Sequence, residues 1–351
     1  MNLVELSSRC AEWLRGSGPL SDVVVSSRAR LARNLASMPF LSRCPPPKQR
    51  EVVELCRSAL SRLSLPPEVF FVDLEQADAL DRQLLVERHL VSRQQAEALG
   101  PRGVLVAGDE TIAVMINEED HLRLQVLRGG LQIDECVAQC RRLDEMLEGQ
   151  LSFAYSSRYG YLTACPTNVG TGLRVSVMLH LPALKMTGQI ERVLRAARDM
   201  HLAIRGLHGE GTEPMGDFFQ ISNQTTLGKS EEQIANQFRD DILPHFIEYE
   251  RQARQALLHE RRLALEDRIF RAQATLRSAR LLSSEEMMAL FSHLRLGLAL
   301  RIIEDTTAQT LNELSLAAQP AHIQRLLKRT LDSDQRGAAR ADMVRQRLSG
   351  K

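Results

Sequence analysis

Apolar and polar residues alternate in short runs from Asp22 to about Leu227, and Gly, Pro and Asn break the runs. A period of two over four to eight residues marks half-buried strands, and a few helical stretches lie between them, so an α+β fold is expected here. The clearest case is GVLVAGDETIAVMINEEDHLRLQVL, which predicts strands at 104–106, 111–116 and 122–127, with a turn at Gly108-Asp109-Glu110 and a tight break at NEED. Connections this short join antiparallel neighbours, because a parallel pair needs a crossover of roughly a dozen residues. Helices are predicted at 134–148 and 189–200.

After Ser230 the period changes to 3.6 and the segments become long and charged. Ser230 with Gln233, and Ser283 with Glu286, have the spacing of capping boxes. From 248 to 282 arginine and glutamate surround Leu257, Leu258, Leu263, Leu265, Ile269 and Leu276, the pattern of a helical bundle with a solvated face. A boundary is placed near residue 255, which gives an amino-terminal amphipathic helix in 1–21, an α+β domain in 22–255 and a helical domain in 256–351.

Composition narrows the function classes. With 45 Lys+Arg against 44 Asp+Glu the net charge is +1, so no bulk field points to nucleic acid or a membrane surface, and an electropositive site must be local. The amino terminus lacks the apolar core of a signal peptide and no run is long enough to span a bilayer, so a cytoplasmic protein is expected. Six cysteines without a paired CxxC spacing fit a reducing compartment; Cys136 and Cys140, four apart on a predicted helix, lack the second pair a structural metal needs.

The local charge is at VVVSSRARLARN. On a strand expected to end near Ser27, Arg28 and Arg30 point to the same side, and two guanidinium forks on one face match phosphate oxygens. In LRLQVL, Arg123 faces away from Leu122, Leu124 and Val126; in LRVSVMLH, Arg174, Ser176, Met178 and His180 face away from Val175, Val177 and Leu179. Arg205 precedes the glycine-rich GLHGEGTEPMG, which carries Glu210, and NEED supplies carboxylates at a strand break. Five arginines with two carboxylate positions suit phosphoryl transfer, where catalysis is mostly positioning and charge neutralisation. Gly228-Lys229-Ser230 is no P-loop, because Asn223 stands where its first glycine belongs.

VVVSSRARLARN, INEEDHLRLQ, LTACPTNVGTGLRVSVMLHLPAL, IRGLHGEGTE and ISNQTTLGKSEEQI occur in the order found in the phosphagen (guanidino) kinases, and the whole chain is similar to their bacterial protein-arginine kinase branch. The resemblance implies an antiparallel sheet flanked by helices, like the catalytic domain of creatine and arginine kinases and shared in outline with glutamine synthetase. It implies ATP and Mg²⁺ as cofactors, with nucleotide contacts at Ser26, Ser27, Arg28, Ala29 and Arg30, at His89, at Arg123, at Arg174, Val175, Ser176, Val177 and Met178, and at Arg205, Gly206, Leu207, His208, Gly209 and Glu210. Glu119 matches the family's catalytic base, Glu210 the glutamate that clamps the other guanidinium edge, and Cys165 the cysteine kept beside the guanidino group.

About two dozen residues precede the SSR motif, where small-molecule guanidino kinases have a helical domain, so the resemblance favours arginine presented on a protein over free arginine. A binding module without activity is expected to lose Glu119 or Glu210, and both are present. The carboxy-terminal helices resemble a region for homodimerisation and regulation. The family's phosphoarginine-sensing RDxxRA motif there reads Arg336-Gly337-Ala338-Ala339-Arg340-Ala341, with glycine in place of the aspartate. The partners implied are protein substrates, a zinc-binding activator, a Clp ATPase and a heat-shock transcription repressor.

Overall fold

The computed structural model describes residues 3–65, 68–206 and 215–349. Its strands are β1 (Val24–Arg33), β2 (Phe70–Asp73), β3 (Gly103–Val106), β4 (Ile112–Ile116), β5 (Leu122–Gly129), β6 (Tyr155–Ser156), β7 (Gly160–Tyr161), β8 (Leu173–His180), β9 (Leu202–Arg205) and β10 (Phe218–Asn223). The α-helices of the first two-thirds are α1 (Leu3–Ser8), α2 (Pro46–Ser61), α3 (Ala79–Glu87), α4 (Arg93–Glu97), α5 (Ile133–Glu148), α6 (Pro182–Met186), α7 (Ile190–Asp199) and α8 (Glu231–Asn236). The remainder is helical: α9 (Leu243–Glu260), α10 (Arg262–Ser278), α11 (Ser284–Ala299), α12 (Ala308–Ala317), α13 (Pro320–Leu327) and α14 (Ser333–Leu348).

Eight strands form one sheet in the order β2-β3-β4-β5-β1-β8-β10-β9, with every neighbouring pair antiparallel. The meander read from the sequence is β3-β4-β5. β1 departs from expectation: it does not stop near Ser27 but runs through the arginines to Arg33, because β5 and β8 supply ladder partners on both sides along its length. The amino-terminal segment is helical only over α1 and a single 3-10 turn at Glu12–Leu14. The Ser230 capping box forms in full; at Ser283 the side chain accepts from the Glu286 N–H, one half of a box. Residue 255 lies inside α9, and the helical path breaks at Arg261 (φ −138°).

One sheet face is core. Ala29 and Leu31, Leu124 and Val126, and Val175 and Val177 meet α5, whose buried Cys136, Cys140, Leu143 and Leu147 recur at helical spacing. Burial pushes the Cys136 thiol up to about 12 and Cys140 well above its usual range, as expected of small core residues. The opposite face is covered at its two ends only. Leu85 and Val86 of α3 pack on Val104, Val106, Ala113 and Met115. At the other end α11 reaches the sheet, where its Ser292 takes a hydrogen-bond contact from His180 at 2.9 Å and donates to Asp217 at 2.5 Å. The middle of that face stays open.

The carboxy-terminal helices are seated beside the opening by a buried polar network. Glu87, at the end of α3, accepts the N–H groups of Ala321 and His322 at 2.9 and 3.2 Å and so caps the first turn of α13. The His322 Nδ1–H faces Glu87 at 2.7 Å and its Nε2 faces Arg88 at 3.1 Å, while Arg88 also pairs with buried Glu110. Burial holds His322 below the ordinary histidine range, so the neutral ring with a proton on Nδ1 satisfies both neighbours. Among the described residues no helix is long and apolar enough to cross a membrane.

Candidate active site

Antiparallel register decides which side chains share the open face. Arg30 lies opposite Arg174 of β8 and opposite Gln125 of β5; Ala32 lies opposite Arg123, Ser176 opposite Arg28, and Gln220 of β10 opposite both Met178 and Arg205. Arg28, Arg30, Arg123, Arg174 and Arg205 therefore line one cleft of about 620 Å³. Like charges placed directly across a ladder repel, and a cluster of this kind calls for an anion. Arg28 reaches Gln220 Oε1 at 2.8 Å and Ser176 Oγ at 3.4 Å, whereas Arg30 Nε and Nη2 are buried with no acceptor. Desolvation, then the neighbouring arginines, lower the Arg28 guanidinium to about 10 and pull Arg30 well below its usual value. Buried donors without acceptors are rare in folded proteins, so the Arg30 fork fits a phosphate-bearing ligand.

The NEED turn closes one end of the cleft. Asn117 takes the left-handed conformation (φ 56°) and anchors through Nδ2 to the carbonyls of Gln49 and Pro101 at 2.9 Å. Glu118 turns inward, accepting from Ser92 Oγ at 2.7 Å and pairing with Arg123 at 2.7 Å. Glu119 points into the cleft and meets the other Arg123 nitrogen at 2.8 Å. Desolvation raises the Glu119 carboxyl above the usual carboxylate range, opposed by Arg123 and helped by Asp120 and Glu118. A half-buried carboxylate with a raised pKa is a better proton acceptor than an exposed one.

Asp120 ties this turn to the cysteine. Its Oδ1 accepts from Asn34 Nδ2 at 2.6 Å and from the Ala164 N–H at 2.7 Å, which sets Cys165 at the same end of the cleft. Cys165 Sγ lies 3.0 Å from Thr167 Oγ1. The turn that follows is fastened by Thr226, whose hydroxyl donates to the carbonyls of Thr167 and Val169 at 3.0 and 2.7 Å. Gly172 (φ +67°) then leads into β8; a Cβ there would stand 2.7 Å from the Ala32 carbonyl, so the close approach that aims Arg174 requires glycine.

A narrower pocket of about 60 Å³ opens off the other end, sharing Arg28, His89 and Gln220 with the cleft and lined also by Ser26, Ser176 and Met178. The structure does not bring every expected residue to the cleft. Ser27 is buried on the other face, donating to the Gly130 carbonyl and accepting from the Gln132 N–H; Ala29, Val175 and Val177 turn their side chains to the core. Gly206 closes β9's end, and Leu207, His208, Gly209 and Glu210 lie outside the described residues. Glu118 and Asp120 were read only as part of NEED, and Gln125 and Gln220 were passed over in the sequence, although they sit at outward positions of strands that alternate legibly. Among the described residues no group of three or more His, Cys, Asp and Glu could hold a metal.

The RGAARA segment lies in α14, away from the cleft. Arg340 donates to the carbonyls of Ala318 and Leu282 at 2.8 and 2.7 Å, and Arg336 to that of Leu331 at 2.7 Å. Gly337 and Ala341 are buried, and Ala338 and Ala339 are partly covered.

Comparison with known proteins agrees with this geometry. Residues 51–253 match the family described as ATP:guanido phosphotransferase, C-terminal catalytic domain, and residues 262–351 match that described as protein-arginine kinase McsB C-terminal domain. The protein-arginine kinase of Symbiobacterium thermophilum is 46% identical over 98% of this chain and 99% of its own, and that of Halothermothrix orenii 42% identical over 99% and 100%. Among solved structures, lombricine kinase superposes with a TM-score of 0.59 at 27% identity, covering 72% of this chain and 71% of its own. The duplicated taurocyamine kinase of Schistosoma mansoni, with bound transition state analog components, gives 0.60 at 26%, covering 72% and 36%. An arginine-lined antiparallel face ending at a raised carboxylate, matched along the whole chain by these relatives, places the protein in the protein-arginine kinase family of ATP:guanido phosphotransferases.

Proposed function

We propose that the chain transfers the γ-phosphoryl group of ATP to the guanidinium of arginine residues in proteins. The observation that carries this is the polarity of the open face: arginines at its centre, and at one end a carboxylate with a raised pKa beside Cys165. Arg28, Arg30, Arg123, Arg174 and Arg205 bind and neutralise phosphate oxygens as charge develops. A guanidinium cannot attack until a nitrogen lone pair is freed, so Glu119 takes the N–H proton as the N–P bond forms and the P–O bond to ADP breaks. Cys165 stands against the same guanidinium, and Glu210, by its motif, clamps the other edge. Mg²⁺, implied by the resemblance, would bind with the nucleotide and add to the neutralisation of phosphate charge that the arginines provide.

Full-length likeness to protein-arginine kinases favours a protein-borne substrate over free arginine. From the sequence resemblance alone we further propose a cytoplasmic enzyme that dimerises through residues 256–351, works with a zinc-binding activator, marks substrates for a Clp ATPase and acts on a heat-shock repressor. With Gly337 in place of aspartate and Arg340 bonded to two carbonyls, phosphoarginine sensing in α14 is weakened. The test is incubation with ATP, Mg²⁺ and either casein or free arginine, followed by mass spectrometry under neutral conditions that preserve the acid-labile P–N bond. Phosphoarginine on casein is expected. Phosphorylation of free arginine alone would replace the reading with a small-molecule kinase, and no transfer to either would sink it.

A further inference from the structure

Helix α3 ends in a turn that its own residues do not favour. The His89 N–H bonds the Val86 carbonyl and the Leu90 N–H the Leu85 carbonyl, both at 3.0 Å, and His89 takes the left-handed conformation (φ 59°). Helices that close in this way usually place glycine there, because a Cβ is strained in that region. Such strain persists where the surroundings over-determine the backbone, and it gathers at functional sites. His89 is at one: it lines the cleft together with Arg28 and Gln220, and its ring meets Trp13 edge-on with centroids 5.3 Å apart.

The turn is held from three sides. From the sheet, Gln125 Nε2 donates to the His89 carbonyl at 2.8 Å. From the amino-terminal segment that carries Trp13, the Arg9 carbonyl accepts from Arg88 at 2.9 Å, while Arg88 also donates to Glu110 at 2.8 Å. The third side is α13. Glu87 faces the His322 Nδ1–H at 2.7 Å, and Arg88 reaches His322 Nε2 at 3.1 Å, so both residues leading into His89 are bonded to one side chain of the carboxy-terminal helices. Glu87, Arg88 and His322 are each 3% exposed or less, so solvent does not stand in for these bonds. We propose that His322 is a positioning residue for the reaction: through Glu87 and Arg88 it holds the left-handed turn that presents His89 to the cleft. This rests on the ATP-dependent reading above, in which His89 faces the nucleotide. Among the described residues lining the cleft His322 is absent, so its removal is felt there through His89.

Kinetics on the full-length protein separate positioning from bulk stability. His322→Ala should raise KM for ATP about fivefold, the worth of one ordinary hydrogen bond, with kcat kept within twofold. In a His89→Ala background the same substitution should add less than twofold, because the side chain it acts through is gone. Arg325→Ala is the control: it cuts the ion pair of α13 with Asp81 at the other end of α3, and KM should stay at the wild-type value. His322→Asn keeps a donor toward Glu87 and should give an intermediate KM; it carries the test where alanine prevents folding. A lowered Tm with unchanged KM, equal effects in both backgrounds, or a shift in Arg325→Ala as large as in His322→Ala overturns the proposal. Trp13, the chain's one tryptophan, reports the turn without turnover. As the edge-on His89 ring loosens, Trp13 emission should change in His322→Ala and its quenching by acrylamide should rise, with neither change in Arg325→Ala; a Trp13 signal unchanged in His322→Ala also overturns the proposal. A chain that shows these emission changes yet phosphorylates no arginine would sink the kinase reading and leave the held turn standing.

Discussion

Glu119 is held by two opposing influences, burial that favours its neutral form and Arg123 that favours its charge, with burial the larger. Glu119→Ala removes the proton acceptor but leaves Arg123 paired with Glu118, so the phosphate cradle survives. Arginine phosphorylation should fall by roughly 100-fold or more, the usual span for a lost general base, while ATP affinity measured by calorimetry stays within about threefold. The wild-type pH profile carries the same signature. The base works only when deprotonated and its folded pKa is raised, so kcat should fall as pH drops through a value above the ordinary glutamate figure of about 4.3. An acid limb at or below that figure would remove burial from the account. At this scale the sequence was legible where period two applied: Arg28, Arg30, Arg123 and Arg174 share a face as expected. Glu118, Asp120 and Gln220 were hidden because their partners, Ser92, Ala164 and Arg28, are 26, 44 and 192 positions away.

Among the elements, the turn from Cys165 into β8 is the one whose shape the chemistry depends on. Gly172→Ala introduces a Cβ at positive φ, 2.7 Å from backbone oxygen and 2.8 Å from Arg33 Nη1. A destabilisation of about 1–3 kcal/mol is expected in denaturant unfolding, together with a loss in kcat/KM from a mis-aimed Arg174. Wild-type kinetics in that variant would show the turn to be idle. In α14 a Cβ at Gly337 would meet nothing closer than 3.5 Å, so the backbone there leaves room for a side chain to begin. An aspartate restores an acceptor for guanidino hydrogens beside Arg336 and Arg340. Calorimetry should find weak, salt-sensitive phosphoarginine binding by the wild type and tighter binding by the variant; tight, salt-insensitive wild-type binding would point to another acceptor. The meander β3-β4-β5 and helices α5 and α7 were readable from periodicity. The course of β1 past Ser27 was not, because it is dictated by two neighbouring strands rather than by its own residues.

For the molecule as a whole, five arginines on one face are a standing repulsion. Their folded pKa values are lowered, Arg28 to about 10, so the folded chain binds fewer protons there than the unfolded one. Stability from Arg28 accordingly rises as pH climbs from about 10 toward the ordinary arginine range, and at neutral pH the repulsion is fully present. Any polyanion that enters the cleft relieves it. Tripolyphosphate or ATP should raise Tm in a concentration-dependent way, by about 2.7 kcal/mol of stability at a hundredfold excess over Kd, and the gain should shrink as salt rises. A Tm indifferent to tripolyphosphate would mean the cluster is already neutralised. The fold class was legible from the alternation of runs. The joining of the two regions was not: α9 passes unbroken through residue 255, and Glu87 caps α13 from 234 positions upstream.

The disposition of the thiols has a practical consequence. Thiolate is the form that alkylates, and burial pushes Cys56 and Cys136 up to about 12, Cys10 to about 11, and Cys44 and Cys140 upward as well. Cys165 is partly exposed at the mouth of the guanidinium end and is placed to meet reagent; Cys10 is also partly exposed, but its thiolate is disfavoured. Brief iodoacetamide treatment at neutral pH should therefore add a single carbamidomethyl group by intact-mass measurement and stop arginine phosphorylation in step with its incorporation. Such a stoichiometric label would count working centres in a preparation, as a burst titration does for a protease. Adducts spread over several cysteines, or full labelling without inhibition, would show that Cys165 does not border the acceptor.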